Sequence, residues 1–304
     1  MTDGTLVLLY HRVTQLDHDP YNFVVRPDRF ALQCDVLRRR CDVVPLRDAI
    51  GRTRSPRTQV AITFDDGYAD NSLEACDILA AAGLPATFFI TTGRLGQRAE
   101  VWWDRLEQIV MRCEPAGGCI DIDVDGRRLW ADVRSSAARA RAHFALYWRL
   151  RPLRPEVIES ILTQIETQLG IQTVDRDTHR WMNSEELRAL SATTGVDVGA
   201  HTLTHPLLAT LPTDEQWKEI DGSRDQLERL LKARVTLFSY PFGSHDAFDA
   251  ATTQLVRDSG YALACTGTGG LARQDHYPYR IPRNVVGDWD VETFERWLDH
   301  WLEP

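Results

Sequence analysis

Six short apolar runs, each stopping in polar or turn residues, constrain this chain more than anything else in it: TLVLLYH, QVAITFDDG, ATFFITTG, VDVGAHT, VTLFSYPFG and YALACTG. Runs of this length bounded by turn chemistry read as strands buried on both faces. Helical patterns lie between several of them. Residues 71–82 carry apolar side chains at Leu73, Cys76, Ile78 and Leu79 and stop at Gly83. Ser184 opens a second helix with Glu186 and Leu187 following, and EQWKEIDGSRDQLERLLKA is long and amphipathic. Alternating strands and helices call for a parallel sheet with helices packed outside it. In such folds the loops after the strands gather on one face, which is where His11, Asp65, Asp66, His201 and the YPFG turn fall.

The middle of the chain breaks this rhythm. From VWWDRLEQIVMRC to about Gly170 the pattern predicts a helix, a hairpin turning at Asp125 and Gly126, and two arginine-rich helices. No Gly/Ser/Pro-rich linker brackets the section. The expectation is one catalytic domain over residues 1–304, with a mainly helical insertion at about 94–180 that caps or flanks the active face. Thirty-five basic residues against 44 acidic ones, interspersed, argue against a nucleic-acid partner. No run approaches the length of a membrane span. The opening residues carry an acid and too short an apolar run for an export signal, so a cytoplasmic location is expected. Cys34, Cys41, Cys76, Cys113, Cys119 and Cys265 show no C-x-x-C pair and read as buried thiols, so any metal needs other ligands.

Those ligands are present. In FDDGY the adjoining carboxylates of Asp65 and Asp66 repel each other at a strand end, which calls for a cation. In GAHTLTHPLL, His201 and His205 stand four residues apart, a spacing that predicts both imidazoles on one side of a helical turn. Two imidazoles and the carboxylate of Asp66 suit a borderline divalent ion with open positions, the arrangement of a hydrolytic site. Zinc leads, and the same donors accept Co, Mn, Ni or Fe. Asp65 is then left beside the ion as general base toward water.

The motifs TFDDGY, HTLTH and LFSYPFG, in that order, resemble those of the polysaccharide deacetylases of the NodB-homology type, the family 4 carbohydrate esterases, over roughly residues 5–92 and 181–285. The resemblance implies an irregular (β/α)7-type barrel, a divalent metal and removal of N-acetyl groups from amino sugars. It also implies Asp65 as base and Asp66, His201 and His205 as ligands. The chain departs from the family pattern twice. Ser239 stands where family members carry an arginine that supports the catalytic aspartate, leaving Arg12, Arg280 and Arg283 as candidates for that work; YRIPRNVV looks like a strand end facing the same site. The late Leu-x-His that supplies the general acid is also missing. His276 and His300 lie in a loop and a terminal helix, whereas LLYHRV is similar to the opening of a subgroup with circularly shifted strands. His11 is therefore the expected acid, with a pKa tuned near neutral.

The SYPFG turn is expected to aim backbone N–H groups at the scissile carbonyl, that of Phe242 above all, so Tyr240 and Phe242 are the oxyanion candidates. Arg283 and Trp181 are grouped with them as substrate contacts, and Trp102, Trp103 and Trp181 as walls of a sugar cleft; Trp289, Trp297 and Trp301 read as packing. The expected activity is metal-dependent N-deacetylation of an amino sugar in a glycan or surface-polysaccharide precursor. The alternatives are a deformylase acting on a nucleotide- or lipid-linked amino sugar, and a non-catalytic carbohydrate-binding protein on the same fold.

Overall fold

The first apolar run forms β1 (Thr5–Tyr10), buried at every residue. A short parallel pair, β2 (Arg12–Val13) and β3 (Val24–Val25), precedes α1 (Pro27–Arg40), whose leading proline suits a first helical turn. After β4 (Asp42–Val43), the second run forms β5 (Gln59–Phe64), again buried throughout. A π-helical turn at Asn71–Ala75 leads into α2 (Cys76–Ala82), which ends on Gly83 in the left-handed region at φ 66°, and β6 (Ala86–Ile90) follows. The computed structural model describes residues 4–50, 57–112, 118–124 and 126–302. They form two compact units: Met1–Gly96 with Trp181–Pro304, and Gln97–Arg180.

The second unit contains α3 (Trp102–Arg112), a hairpin of β7 (Cys119–Val124) and β8 (Arg127–Asp132), α4 (Ser136–Leu150) and α5 (Pro155–Leu169). Alternation puts Ile120, Ile122 and Val124 of β7 in the core with Leu106, Ile109, Leu146, Leu150, Ile161 and Ile165 from the helices. The expected second arginine-rich helix is not one: α5 holds no arginine, and its Glu159 and Glu166 pair instead with Arg105 of α3. Asp125 of the expected turn and Cys113 lie outside the described residues. Cys34, Cys41, Cys76 and Cys265 are buried free thiols, and Cys119 is half-buried.

The first unit resumes with α6 (Ser184–Ala192), started by an Asn183–Glu186 capping box, then β9 (Val196–Ala200), α7 (Thr213–Leu231), β10 (Leu237–Ser239), α8 (Ala250–Asp258), β11 (Leu263–Cys265), β12 (Leu271–Ala272), β13 (Asn284–Val285) and α9 (Val291–Leu302). The strands run β11-β10-β9-β6-β5-β1, each parallel to the next, with β13 parallel to the far side of β1. Residues 281–285 then close the ring. Ile281 exchanges backbone hydrogen bonds with Ala264 and Thr266 beside β11, and Val286 donates to Leu9 of β1. The result is the expected irregular barrel of seven parallel strands. β12 pairs antiparallel with the start of β1, and β4 flanks β5.

Two cores follow from strand alternation. Leu6, Leu8, Tyr10, Val60, Ile62, Phe64 and Phe88 pack outward under the helices. Val7, Ala61, Phe89, Leu237, Leu263, Cys265 and Ile281 come from every side of the ring and fill its inside. Among the described residues, no helix is long and apolar enough to cross a membrane.

Candidate active site

Period-two alternation carries the inner face past the strand ends. Leu9 pairs with Thr63 and Tyr10 with Phe64, so the residues that follow, His11 and Asp65, emerge side by side on two adjacent strands. The N–H of Asp65 donates to the carbonyl of Tyr10 at 3.1 Å, holding the two ends together. Asp65 is 4% exposed, and a carboxylate so buried requires a cation.

That cation is Arg283, one residue before β13. Its Nη1 donates to Asp65 Oδ1 at 2.7 Å and its Nη2 to Oδ2 at 2.6 Å, a bidentate fork. Ser239, in the place of the family's arginine, completes the arrangement by donating to Asp65 Oδ2 at 3.1 Å and accepting from Arg283 Nη2 at 2.7 Å. Thr63 and the carbonyl of Thr266 take the remaining Arg283 donors. Burial alone would raise the pKa of Asp65, but the charge of Arg283, helped by His201, holds it well below the usual carboxylate range. Arg283 is thus a support for Asp65 and not a substrate contact. Of the other two candidates, Arg12 pairs with Asp70 and Arg280 lies over the ring of Phe248.

Asp66, His201 and His205 converge. Their ligand atoms all lie within 4.8 Å of one another, with Asp66 Oδ1 3.6 Å from His201 Nε2 and 3.4 Å from His205 Nε2. Donors bound to one tetrahedral ion at ordinary zinc distances sit about 3.4 Å apart, so the set fits such an ion. His201 Nδ1 lies 2.8 Å from the carbonyl of Ser239, which fixes the ring with Nε2 as its lone-pair nitrogen. Burial pushes the pKa values of both histidines down, keeping them in the neutral form that ligates metal.

The histidines do not share a helical turn, contrary to the spacing argument. Residues 201–205 form a loop in which Thr202 (φ 66°) and His205 (φ 63°) are left-handed, closed by His205 N–H donating to Thr202 Oγ1 at 3.0 Å. Asp66 (φ 74°) and Phe242 (φ 62°) are left-handed too, so four of the six described non-glycine residues with positive φ belong to this site. Such residues are costly and persist where surrounding contacts over-determine them. Here Gly93 N–H donates to the carbonyl of Leu203, and a Cβ at Gly93 would lie 2.6 Å from that oxygen. Glu219 of α7 accepts from the N–H groups of Leu203 and Thr204, both at 2.9 Å, and from the Thr204 hydroxyl. Glu219 escapes sequence reasoning; its one signal is an acid on the half-buried flank of an amphipathic helix.

His11 is half-buried, its ring stacked on Phe23 and its carbonyl accepting from Asn71 Nδ2 at 2.8 Å. Asp70 anchors the next two residues, accepting from Arg12 Nε and Nη2 at 3.0 and 2.8 Å and from Val13 N–H at 3.1 Å. The π-helical turn thus begins where it grips the strand bearing His11. The expected near-neutral pKa is not what this environment gives. Burial pushes His11 down to about 4, with Asp65 pulling it up and the charge of Arg283 opposing that pull.

Two other expectations are corrected. The N–H of Tyr240 donates to Cys265, its ring stacks on Phe248 and its hydroxyl donates to Tyr279, so it belongs to the core; Phe242 does reach the site, its ring edge-on to His205 at 4.7 Å. Trp181 is 1% exposed and stacks on Tyr68, while Trp102 and Trp103 are buried against each other within the second unit, leaving none of the three as an open cleft wall. Trp289, Trp297 and Trp301 pack against the core as expected.

The family model for polysaccharide deacetylases matches residues 52–120 and 165–264. The curated Bacillus subtilis (strain 168) protein YxkH is 26% identical over 105 residues, 34% of this chain and 37% of that protein, so the match spans little more than a third of the relative. Among solved structures, the Streptococcus pyogenes deacetylase PplD in complex with acetate superposes with a TM-score of 0.63 at 18% identity, covering 100% of both chains. IcaB from Ammonifex degensii gives 0.64 at 18% identity over 99% of this chain and 98% of that one. At these identities the likeness establishes the fold.

Proposed function

Because the chain belongs to the polysaccharide deacetylase family, whose model covers more than half of it, we propose that it is a metal-dependent amide hydrolase that removes the N-acetyl group from an amino sugar within a glycan or glycan precursor. The observation that carries the proposal is the convergence of Asp66, His201 and His205 beside a carboxylate held ionised by Arg283. A divalent ion held by those three side chains would act as Lewis acid toward the acyl oxygen and make water more acidic. Asp65 takes the proton from the attacking water, and Arg283 and Ser239 hold both of its oxygens in place for the transfer. His11, charged by a proton taken up from solvent, gives that proton to the amine nitrogen as the C–N bond breaks, and the proton held by Asp65 returns to solvent. The depressed pKa of His11 makes the charged imidazole a strong acid, and negative charge gathering on the acyl oxygen favours its charging at that moment. Phe242 borders the ligand set and confines the acyl group.

The test is direct. Purified protein should hold about one divalent ion per chain and release acetate from N-acetylated hexosamines presented as sugar nucleotides, lipid-linked units or oligomers. Formate release from N-formylated counterparts alone would make it a deformylase, and sugar binding with no acid released would make it a binding protein.

A further inference from the structure

A proton donor to the amine fixes where the sugar lies. On the reading of His11 as that donor, the nitrogen it protonates is carried by the sugar, so the pyranose ring must pass beside the imidazole. What stands beside the imidazole is Phe23, stacked at a centroid distance of 4.2 Å and an interplanar angle of 21°. Tyr21 extends the stack, 5.3 Å from Phe23 at 25°. His11, Phe23 and Tyr21 are all half-buried, so each keeps part of its ring in solvent, unlike Trp102, Trp103 and Trp181.

The backbone beneath these rings is fixed. The Asp19 carboxylate accepts from the N–H groups of Phe23 and Val24 at 3.0 and 2.9 Å. Asn22, left-handed at φ 55°, turns the chain between the two aromatics. Arg12 N–H donates to the carbonyl of Phe23 at 3.1 Å, and Thr14 N–H to that of Val25 at 3.2 Å, so the loop is tied to the segment that carries His11. A rigid pair of aromatic rings loses little entropy on binding, and the solvent-exposed edge of the stack offers apolar surface to the C–H groups of a pyranose.

We propose that the exposed edges of Tyr21 and Phe23 form the wall of the amine-side sugar subsite, packing against the pyranose whose nitrogen His11 protonates. The inference rests on the His11 reading and adds the surface that selects a ring-bearing substrate. The wall sets affinity and placement, while proton transfer stays with His11.

The test compares kcat/KM of the metal-loaded full chain for N-acetylhexosamine trimers with that for 4-nitrophenyl acetate, which carries no sugar. Tyr21→Ala should lower the ratio by about three- to tenfold through KM for the trimer, and Tyr21→Phe should restore it. Calorimetric binding of the same trimers to Tyr21→Ala should weaken in parallel, a readout independent of turnover. An unchanged ratio, a Tyr21→Phe variant as impaired as Tyr21→Ala, or wild-type protein that binds no gluco-, galacto- or manno-configured trimer overturns the proposal. His11→Ala keeps the two ideas apart: retained kcat for the trimer refutes the acid, while the wall is judged by the ratio alone.

Discussion

Both units of this molecule set an arginine against buried carboxylates, and they put the same pair to opposite uses. In the inserted unit, Arg176 donates to both oxygens of Glu100 and to Glu107, while Gln108 Nε2 takes a further bond to Glu100. Arg176 there ties the segment that follows α5 to α3 and to the residues just before it, a staple between elements. In the barrel, Arg283 grips Asp65 with equal thoroughness, but Asp65 Oδ2 also lies 3.8 Å from His201 Nε2, at the edge of the ligand set. A buried ion pair by itself says little about function. What separates the two is the neighbourhood of the carboxylate: amide and peptide groups in one case, imidazoles and a second acid in the other.

The sharpest way to break this contrast is Asp65→Asn. Turnover should fall by about 10³-fold or more while the ion is retained, because the neutral amide keeps the shape and loses the base. His201→Ala should lose ion and turnover together, as metal analysis beside an acid-release assay would reveal. Next in size is Arg283→Met, which strands a buried carboxylate and should cost about 3–5 kcal/mol in denaturant titration. Because Arg283 holds the pKa of Asp65 down, its loss should also move the acid limb of the kcat profile to higher pH; an unmoved limb would mean Asp65 is not the group titrating. Arg176→Met should cost about 3 kcal/mol for the same physical reason, with kcat per folded molecule unaltered. If Arg176→Met silences the enzyme while leaving it folded, the contrast between the units fails.

The smallest effect concerns acid. Burial pushes both His11 in the barrel and His143 in the inserted unit down to about 4, below the roughly 6.5 of an unfolded histidine. Between those values the unfolded chain binds protons that the native chain refuses, so stability should decline as pH falls from about 6.5 toward 4 and then level off. His143→Gln should flatten part of that slope in pH-dependent melting and leave kcat/KM alone. His11→Gln should flatten the slope and stop turnover.

How much of this was legible in the sequence depends on the distance over which each signal acts. Strand ends and the DD and HTLTH motifs are local: the parallel sheet and the three candidate ligands follow from them, and the seven-stranded barrel from the family resemblance that the motifs carry. The work of Arg283 could be narrowed only to three arginines, because its partner lies 218 positions away and nothing short-range records the pairing. The His201–His205 loop was misread because a spacing of four fits a helical turn and also a loop with two left-handed residues. Trp181 and Trp102 were misplaced because bulk and aromaticity are the same for a core ring and a cleft ring. Tyr21 and Phe23 sit in a short loop with no periodicity, and only their nearness to His11 in the fold singles them out.

The ring of strands is completed by residues 281–285, which touch the first strand and the last, and the arginine that grips Asp65 arrives with them. Contacts so far apart in the chain are slow to form, since loop closure must be paid before they are rewarded. On refolding, helical signal and tryptophan burial should therefore recover first, and enzymatic competence last. The activity of this protein is in effect a stopwatch for the final stitch of its own assembly.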